Sequence, residues 1–327
     1  MAIEIGTINA DTSVKFNTTT IQSGYIGTNY FYGNHFPILD LYPTNIHHAY
    51  SLRKLKTSYS GFGLRVRRTA VTSTEVNVGF DSNNQISLTS PITYASGTAT
   101  TAINLGQFAA IAGYGTADVG VTANQNIFVV TWYDQSGNGK NPTNAFAGQQ
   151  PRLVSSTTAD LERSGGKVAV RFTRASNQNL TLADTTSNTN NMSSYWVGQR
   201  VTTAGAQCGY GLGTNRFYFP YSAAGSAVYA GISTNSTAIT LENVLNTDRK
   251  FYEFLSPTVG STTLVQGWTN GVAKNTAAIL TFTNINIQLG TAATLYFDGY
   301  IQEVIGYQSN LNRLEKEKNI NGYWTIY

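Results

Sequence analysis

The chain has 327 residues, enough to bury a substantial core without disulfide or metal staples. Only 12% of its residues are charged, about half the usual share, while glycine numbers 31 and tyrosine 20, so Asn, Thr, Ser and Gln must wet the surface. The net charge of +4 is spread along the chain rather than gathered in a patch, which argues against nucleic-acid binding, and a single cysteine excludes an internal disulfide framework.

In chain order, residues 1–44 are polar and rich in Thr and Asn, end in the aromatic YFYGNHF and show little periodicity, so they read as an N-terminal arm or anchoring segment. The start, MAIEIGTINADTSVKF, has no basic n-region or apolar core, and no later run reaches eighteen apolar residues, so synthesis in a cytoplasm without signal peptide or membrane anchor is expected. In PTNIHHAYSLRKLKTSYSG, Thr44 or Asn45 can cap a short helix after Pro43, with Ala49, Leu52 and Leu55 on one side and Gly61 ending it. Short strand-like runs then follow, each closed by Gly, Asn or Ser clusters: GLRVRRT, TEVNVGF, NIFVVTWY, KVAVRFT, SSYWVGQRV, RFYFPY, AVYAGI, TLVQGWT, INIQLG and YIQEVIGY. Val76, Val78 and Phe80 share one face of TEVNVGF, as a sheet with one covered face requires. Arg65 and Arg67 share a face that reads as solvated or as a subunit contact. Near the end, Ser309 or Asn310 can cap a second helix with Leu311 and Leu314 inward and the Glu315 to Lys318 run toward water. Many strands with two short helices predict an all-β sandwich over residues 45–327.

The chemistry-bearing residues are few. TWYDQSGNG is first of all a turn, in which Asp134 accepts local backbone hydrogen bonds and Gly137 and Gly139 supply positive φ. None of the 17 carboxylates forms a local pair of the kind that cleaves glycosides; Asp298 sits at a turn, Glu303 in a strand, Glu315 and Glu317 on the second helix, and Asp11, Asp81, Asp160 and Asp184 in polar loops. His35, His47 and His48 lack metal-ligand spacing, and GYGLG lacks the GxGxxG pattern, so neither a metal nor a dinucleotide cofactor is indicated. Cys208 reads as a buried small apolar residue. Tyr210, Asn215, Tyr218, Tyr221 and Trp268 lie in or beside turn-rich segments, where rings can stack on a sugar and amides can bind its hydroxyls; equally, aromatics are common in β cores.

The series AYSLRKLKTSYSGFGLRVRR, TEVNVGFD, VTWYDQSGNGKNPTNA, QQPRLV and KVAVRF, with the tail LYFDGYIQEVIGYQSNLNRLEKEKNINGYW, resembles the concanavalin A-like (laminin-G-like) β-sandwich module of family 54 α-L-arabinofuranosidases, a module that also recurs in bacteriophage virion proteins. The resemblance implies an antiparallel β-sandwich with short peripheral helices behind an extended N-terminal arm. Some sandwiches of this kind bind Ca²⁺. It also implies departures: where the family has an adjacent cysteine pair beside the sugar this chain reads AQCGYG, and where its acid/base Asp follows a glycine, Gly290 is followed by Thr291. Glu242 and Asp298 are the nearest acids to the two catalytic positions and the first to test.

The expected function is therefore a bacteriophage virion structural protein, a decoration, fibre or tail-associated component. It would display a lectin-like sandwich, assemble with other virion proteins and with copies of itself, and present its face to a host-surface glycan, with no nucleic-acid or membrane partner. The alternative is an α-L-arabinofuranosidase-like glycoside hydrolase.

Overall fold

The computed structural model describes residues 36–69, 74–118, 121, 123–184, 192–212, 217–222, 228–232, 238–243, 245–256, 264–278, 286–292 and 294–327, and four short strands within the first 35 residues. Its spine is the strand Gly299–Tyr307, apolar at most positions and buried along nearly its whole length. That strand pairs antiparallel with Met192–Arg200 on one side; on the other it forks, with Gly299 to Ile301 against Val170–Phe172 and Glu303 to Tyr307 against Ile46–Ser51. Gln302 is the extra residue at the fork, and its amide donates to the carbonyls of Ser164, Lys167 and Val168. From this spine the large sheet extends one way through Arg249–Ser256, Leu264–Thr269 and Val272–Ala278, and the other through Arg152–Ser155, Ile127–Trp132, Leu64–Arg68, Glu75–Val78 and Ile92–Ser96. A second antiparallel sheet runs Leu180–Leu182, Ile287–Leu289, Gln207–Leu212, Phe217–Ser222, Val228–Ile232 and Ala238–Glu242. The architecture is an all-β sandwich.

The two sheets meet across an aromatic core. Trp196 packs edge-on against Phe297 at 5.8 Å and tilts over Tyr252 at 5.6 Å. The second sheet comes so close that a Cβ at Gly209 would lie 3.1 Å from the Trp196 ring, and one at Gly211 would lie 2.7 Å from Ala292. Gly209 therefore serves sheet-to-sheet contact, and Gly211 the close approach of the short strand Thr291–Ala292. Cys208 is buried beside Ala292, as expected of a small apolar residue.

Strand alternation gives Met192–Arg200 two faces. Trp196, Gly198 and Arg200, with Tyr252 and Lys250 opposite the first two, look toward the second sheet; Tyr195 and Gln199, with Glu253, look the other way. The second of these faces carries the helix Arg313–Trp324, clasped by Arg313, which donates to Glu253 at 2.9 Å and to Glu317 at 2.5 Å while its guanidinium lies over the Trp268 ring.

Four expectations are corrected by the structure. The segment expected to be a helix after Pro43 is instead the strand Ile46–Ser51: Asn45 turns the chain at φ 58°, and pairing with Glu303 to Tyr307 satisfies its backbone. The C-terminal helix is capped at Asn312, not at Ser309 or Asn310; Leu311 and Leu314 are 66% and 52% exposed and Lys316 and Glu317 are buried, while Glu315 and Lys318 face water as expected. Lys316 is held there by the Tyr307 ring, 3.7 Å from its Nζ, and by the Leu311 carbonyl. Arg67 is not solvated: it is buried over the Phe128 ring and bound to Gln150, and its neighbour Arg68 is buried on Asp118 at 2.8 Å. Ile38 and Leu39 are fully buried and Leu39 N donates to Leu55 O, so the last residues of the expected arm belong to the sandwich.

Candidate functional site

The turn after Trp132 is built around a carboxylate that has no spare capacity. Asp134 Oδ1 accepts from the amides of Ala49 and Ser136 at 2.8 and 2.9 Å, and Oδ2 accepts from Ser136 Oγ at 2.6 Å and the Lys140 amide at 3.1 Å. Gly137 and Gly139 take φ of 90° and 70°, as the sequence predicts. Gln135 completes the bracket, accepting from Leu55 N and donating to the carbonyls of Ser51 and Arg53. YDQSGNG is a structural tie that holds residues 49–55.

Beside it lies a buried polar chain. His47 and His48 share a hydrogen bond between their Nδ1 atoms at 2.7 Å, and His48 Nε2 bonds the Tyr210 hydroxyl at 2.7 Å. Burial pushes the His47 imidazole down to about 4 and that of His48 well below its ordinary value, so both are neutral at pH 7. Tyr210 is fully enclosed here, which leaves no ring face for a sugar and corrects its place among the sugar-stacking candidates.

The candidate site is the cleft between the sheets at the Ala238–Glu242 strand. Glu242 accepts from the Tyr252 hydroxyl at 3.1 Å and pairs with Lys250 Nζ at 3.1 Å; Lys250 also reaches Asp248 at 3.4 Å. A cavity of about 300 Å³ opens on Glu242, lined also by Thr240, Leu241, Asn243 and Lys274. Adjoining it through Tyr252 and Lys250 is a narrow crevice bordered by Trp196, Arg200, Asn246 and Asp248. Burial drives the Tyr252 phenol well above its usual range, so it stays a hydrogen-bond donor to Glu242.

Glu242 and Asp298, the two acids expected nearest catalysis, are not brought together. Asp298 binds Arg171 at 2.5 Å, and Arg171 pairs across the strands with Tyr300, on the sheet face opposite Tyr252 and Lys250. Trp268 is 9% exposed and carries the Arg313 guanidinium 4.3 Å from its centroid, so one ring face is already covered. Tyr218 and Tyr221 pair with Gly211 and Cys208 in the second sheet, but their side chains lie outside the described residues, as does Asn215 entirely. The sequence reading did not single out Arg200, Lys250, Tyr252 or Lys274. Alternation within RKFYEF already places Lys250 and Tyr252 on one face, the one signal that could have found them.

The strongest carboxyl perturbation lies elsewhere: burial and the neighbouring Glu317 push Glu253 up to about 9. It is fully buried beneath the C-terminal helix, and its partner Glu317 is held by Arg313 and by the Tyr327 hydroxyl at 2.6 Å, so this pair is part of the helix clasp. Among the described residues no group of three or more His, Cys, Asp or Glu side chains gathers as metal ligands would.

No family model matches the chain, and no curated protein matches it. Among solved structures it is similar to a family 54 α-L-arabinofuranosidase soaked with a cyclic sulfate inhibitor, at 13% identity over 88% of this chain and 65% of that one, with a TM-score of 0.52. It is also similar to a mutant of a family 54 α-L-arabinofuranosidase soaked with 4-nitrophenyl α-L-arabinofuranoside, at 14% identity, 88% and 65% coverage and a TM-score of 0.50. The chain thus spans 65% of the length of those structures, and at such identity the likeness shows the sandwich fold.

Proposed function

We propose that this chain is a sugar-binding sandwich of a bacteriophage virion, and that the cleft at Glu242 holds the glycan without cleaving it. The observation that carries the reading is the cavity itself: about 300 Å³, lined by a carboxylate, an amide, a hydroxyl and a lysine, groups that donate to and accept from sugar hydroxyls. Binding rather than hydrolysis is favoured because Glu242 is engaged by Tyr252 and Lys250 and the nearest expected partner acid, Asp298, serves an ion pair on the other face of the sheet. Glycan-array screening followed by titration calorimetry is expected to find an oligosaccharide whose affinity falls about tenfold in Glu242→Ala, the loss of one buried charge-assisted hydrogen bond. Turnover of an aryl α-L-arabinofuranoside, abolished by Glu242→Gln, would replace this reading with the glycosidase one.

The virion setting is supported by the low charge, the single cysteine and the polar, Thr/Asn-rich opening segment. Because Ile38 and Leu39 are core residues, the decisive truncation removes residues 1–35 and no more. The shortened protein is expected to fold with an unchanged melting temperature yet fail to enter particles; normal incorporation would refute the docking role of that segment.

A further inference from the structure

Arg200 is an unbalanced charge at the deep end of the cleft. It is 4% exposed, and its Nε and Nη2 are buried without a hydrogen-bond acceptor among the described residues. A guanidinium is permanently charged and carries five donors, so leaving part of its fork dry and unpaired is costly. The groups around it are already committed. The Tyr252 hydroxyl, within reach of Arg200, donates to Glu242; Glu242 and Asp248 are both held by Lys250. With Lys274 facing the cavity, three cations, Arg200, Lys250 and Lys274, stand against two carboxylates, Glu242 and Asp248. The excess positive charge sits at the buried guanidinium.

We infer that the ligand of this cleft is a carboxylate-bearing sugar, its carboxylate paired with Arg200 and its hydroxyls directed to Glu242, Asn243 and Thr240. The inference rests on the sugar-binding reading and narrows it to acidic glycans. A planar carboxylate matches the two-donor edge of a guanidinium and would supply the acceptors that Nε and Nη2 lack. A neutral sugar would leave that edge as it is. Binding requires the crevice between Trp196 and Asp248 to widen, since in this structure it has room for about one water molecule.

The test compares methyl glycosides of glucuronate, galacturonate and sialate with their methyl esters, which keep the shape and remove the charge. Titration of the full chain is expected to show at least one acid binding tenfold or more tightly than its ester. Arg200→Met should erase that difference while leaving affinity for the ester within about twofold, and the ester comparison on the unaltered protein stands alone if this variant does not fold. Neutral glycans binding while no acid outperforms its ester would overturn the inference and leave the sugar-binding reading intact. No binding of any acid, ester or neutral glycan would overturn both.

Discussion

Replacing Asp134 with alanine is expected to destabilise the protein by about 4 kcal/mol, well above the cost of an ordinary surface change. Four donors converge on that carboxylate: the amides of Ala49, Ser136 and Lys140 and the Ser136 hydroxyl. Removing the acceptor strands them in a site that is 4% exposed, and each charge-assisted bond contributes roughly 1.5–3 kcal/mol before relaxation. Asp134→Asn keeps the shape and part of the acceptor capacity, so about half the loss is expected. Chemical denaturation of both variants measures this directly. An alanine variant as stable as the parent would mean that the turn does not need the carboxylate, and a catalytic or binding role for Asp134 would return.

The second large effect is expected at Arg53. Its guanidinium forks onto Glu303, Nε to Oε2 at 2.8 Å and Nη2 to Oε1 at 3.1 Å, with Ser51 Oγ and Asn319 closing the network and the Tyr323 ring beneath. Both ions are buried, so Arg53→Met leaves an uncompensated carboxylate in the spine of the large sheet and should cost about 3–5 kcal/mol. The double change Arg53→Met with Glu303→Leu removes both charges and should recover most of that loss. In a double-mutant cycle this appears as a coupling above about 2 kcal/mol. Coupling near zero would show that the network does not pin Ile46–Ser51, Gly299–Tyr307 and the C-terminal helix together.

Strands whose neighbours are apolar on alternate positions were legible from the sequence, as the match of TEVNVGF with Glu75–Val78 and of YIQEVIGY with Gly299–Tyr307 illustrates. Strands with polar or mixed patterns, such as RLVS, AITLE and RKFYEFLS, were not singled out, because their burial depends on which face a distant strand covers. IHHAYSLRKL carries apolar residues at helical spacing as well as at strand spacing, and only the vacant edge of Glu303 to Tyr307 decided between them. At the C-terminus local charge placed Glu315 and Lys318 correctly in water but Lys316 and Glu317 on the wrong side of the helix. Glu253, on a strand sixty residues earlier, supplied the partner that draws Arg313 inward, and the Leu311 carbonyl and Tyr307 ring did the same for Lys316.

The site divides in the same way. Glu242 was found as an acid within a short stretch, but its engagement by Tyr252 and Lys250, its separation from Asp298 and the buried Arg200 beside it arise from strands that meet only in the folded chain. By itself the sequence determined the all-β class, the Asp134 turn and the buried state of Cys208, because turn chemistry, alternation and small apolar side chains act over a few residues. The tertiary structure alone decided which polar groups are enclosed, since burial and charge pairing are properties of surfaces brought together across the sandwich. Those pairings set the cleft's chemistry: a carboxylate at Glu242 held by Tyr252 and Lys250, and a buried guanidinium at Arg200 whose Nε and Nη2 meet no acceptor among the described residues.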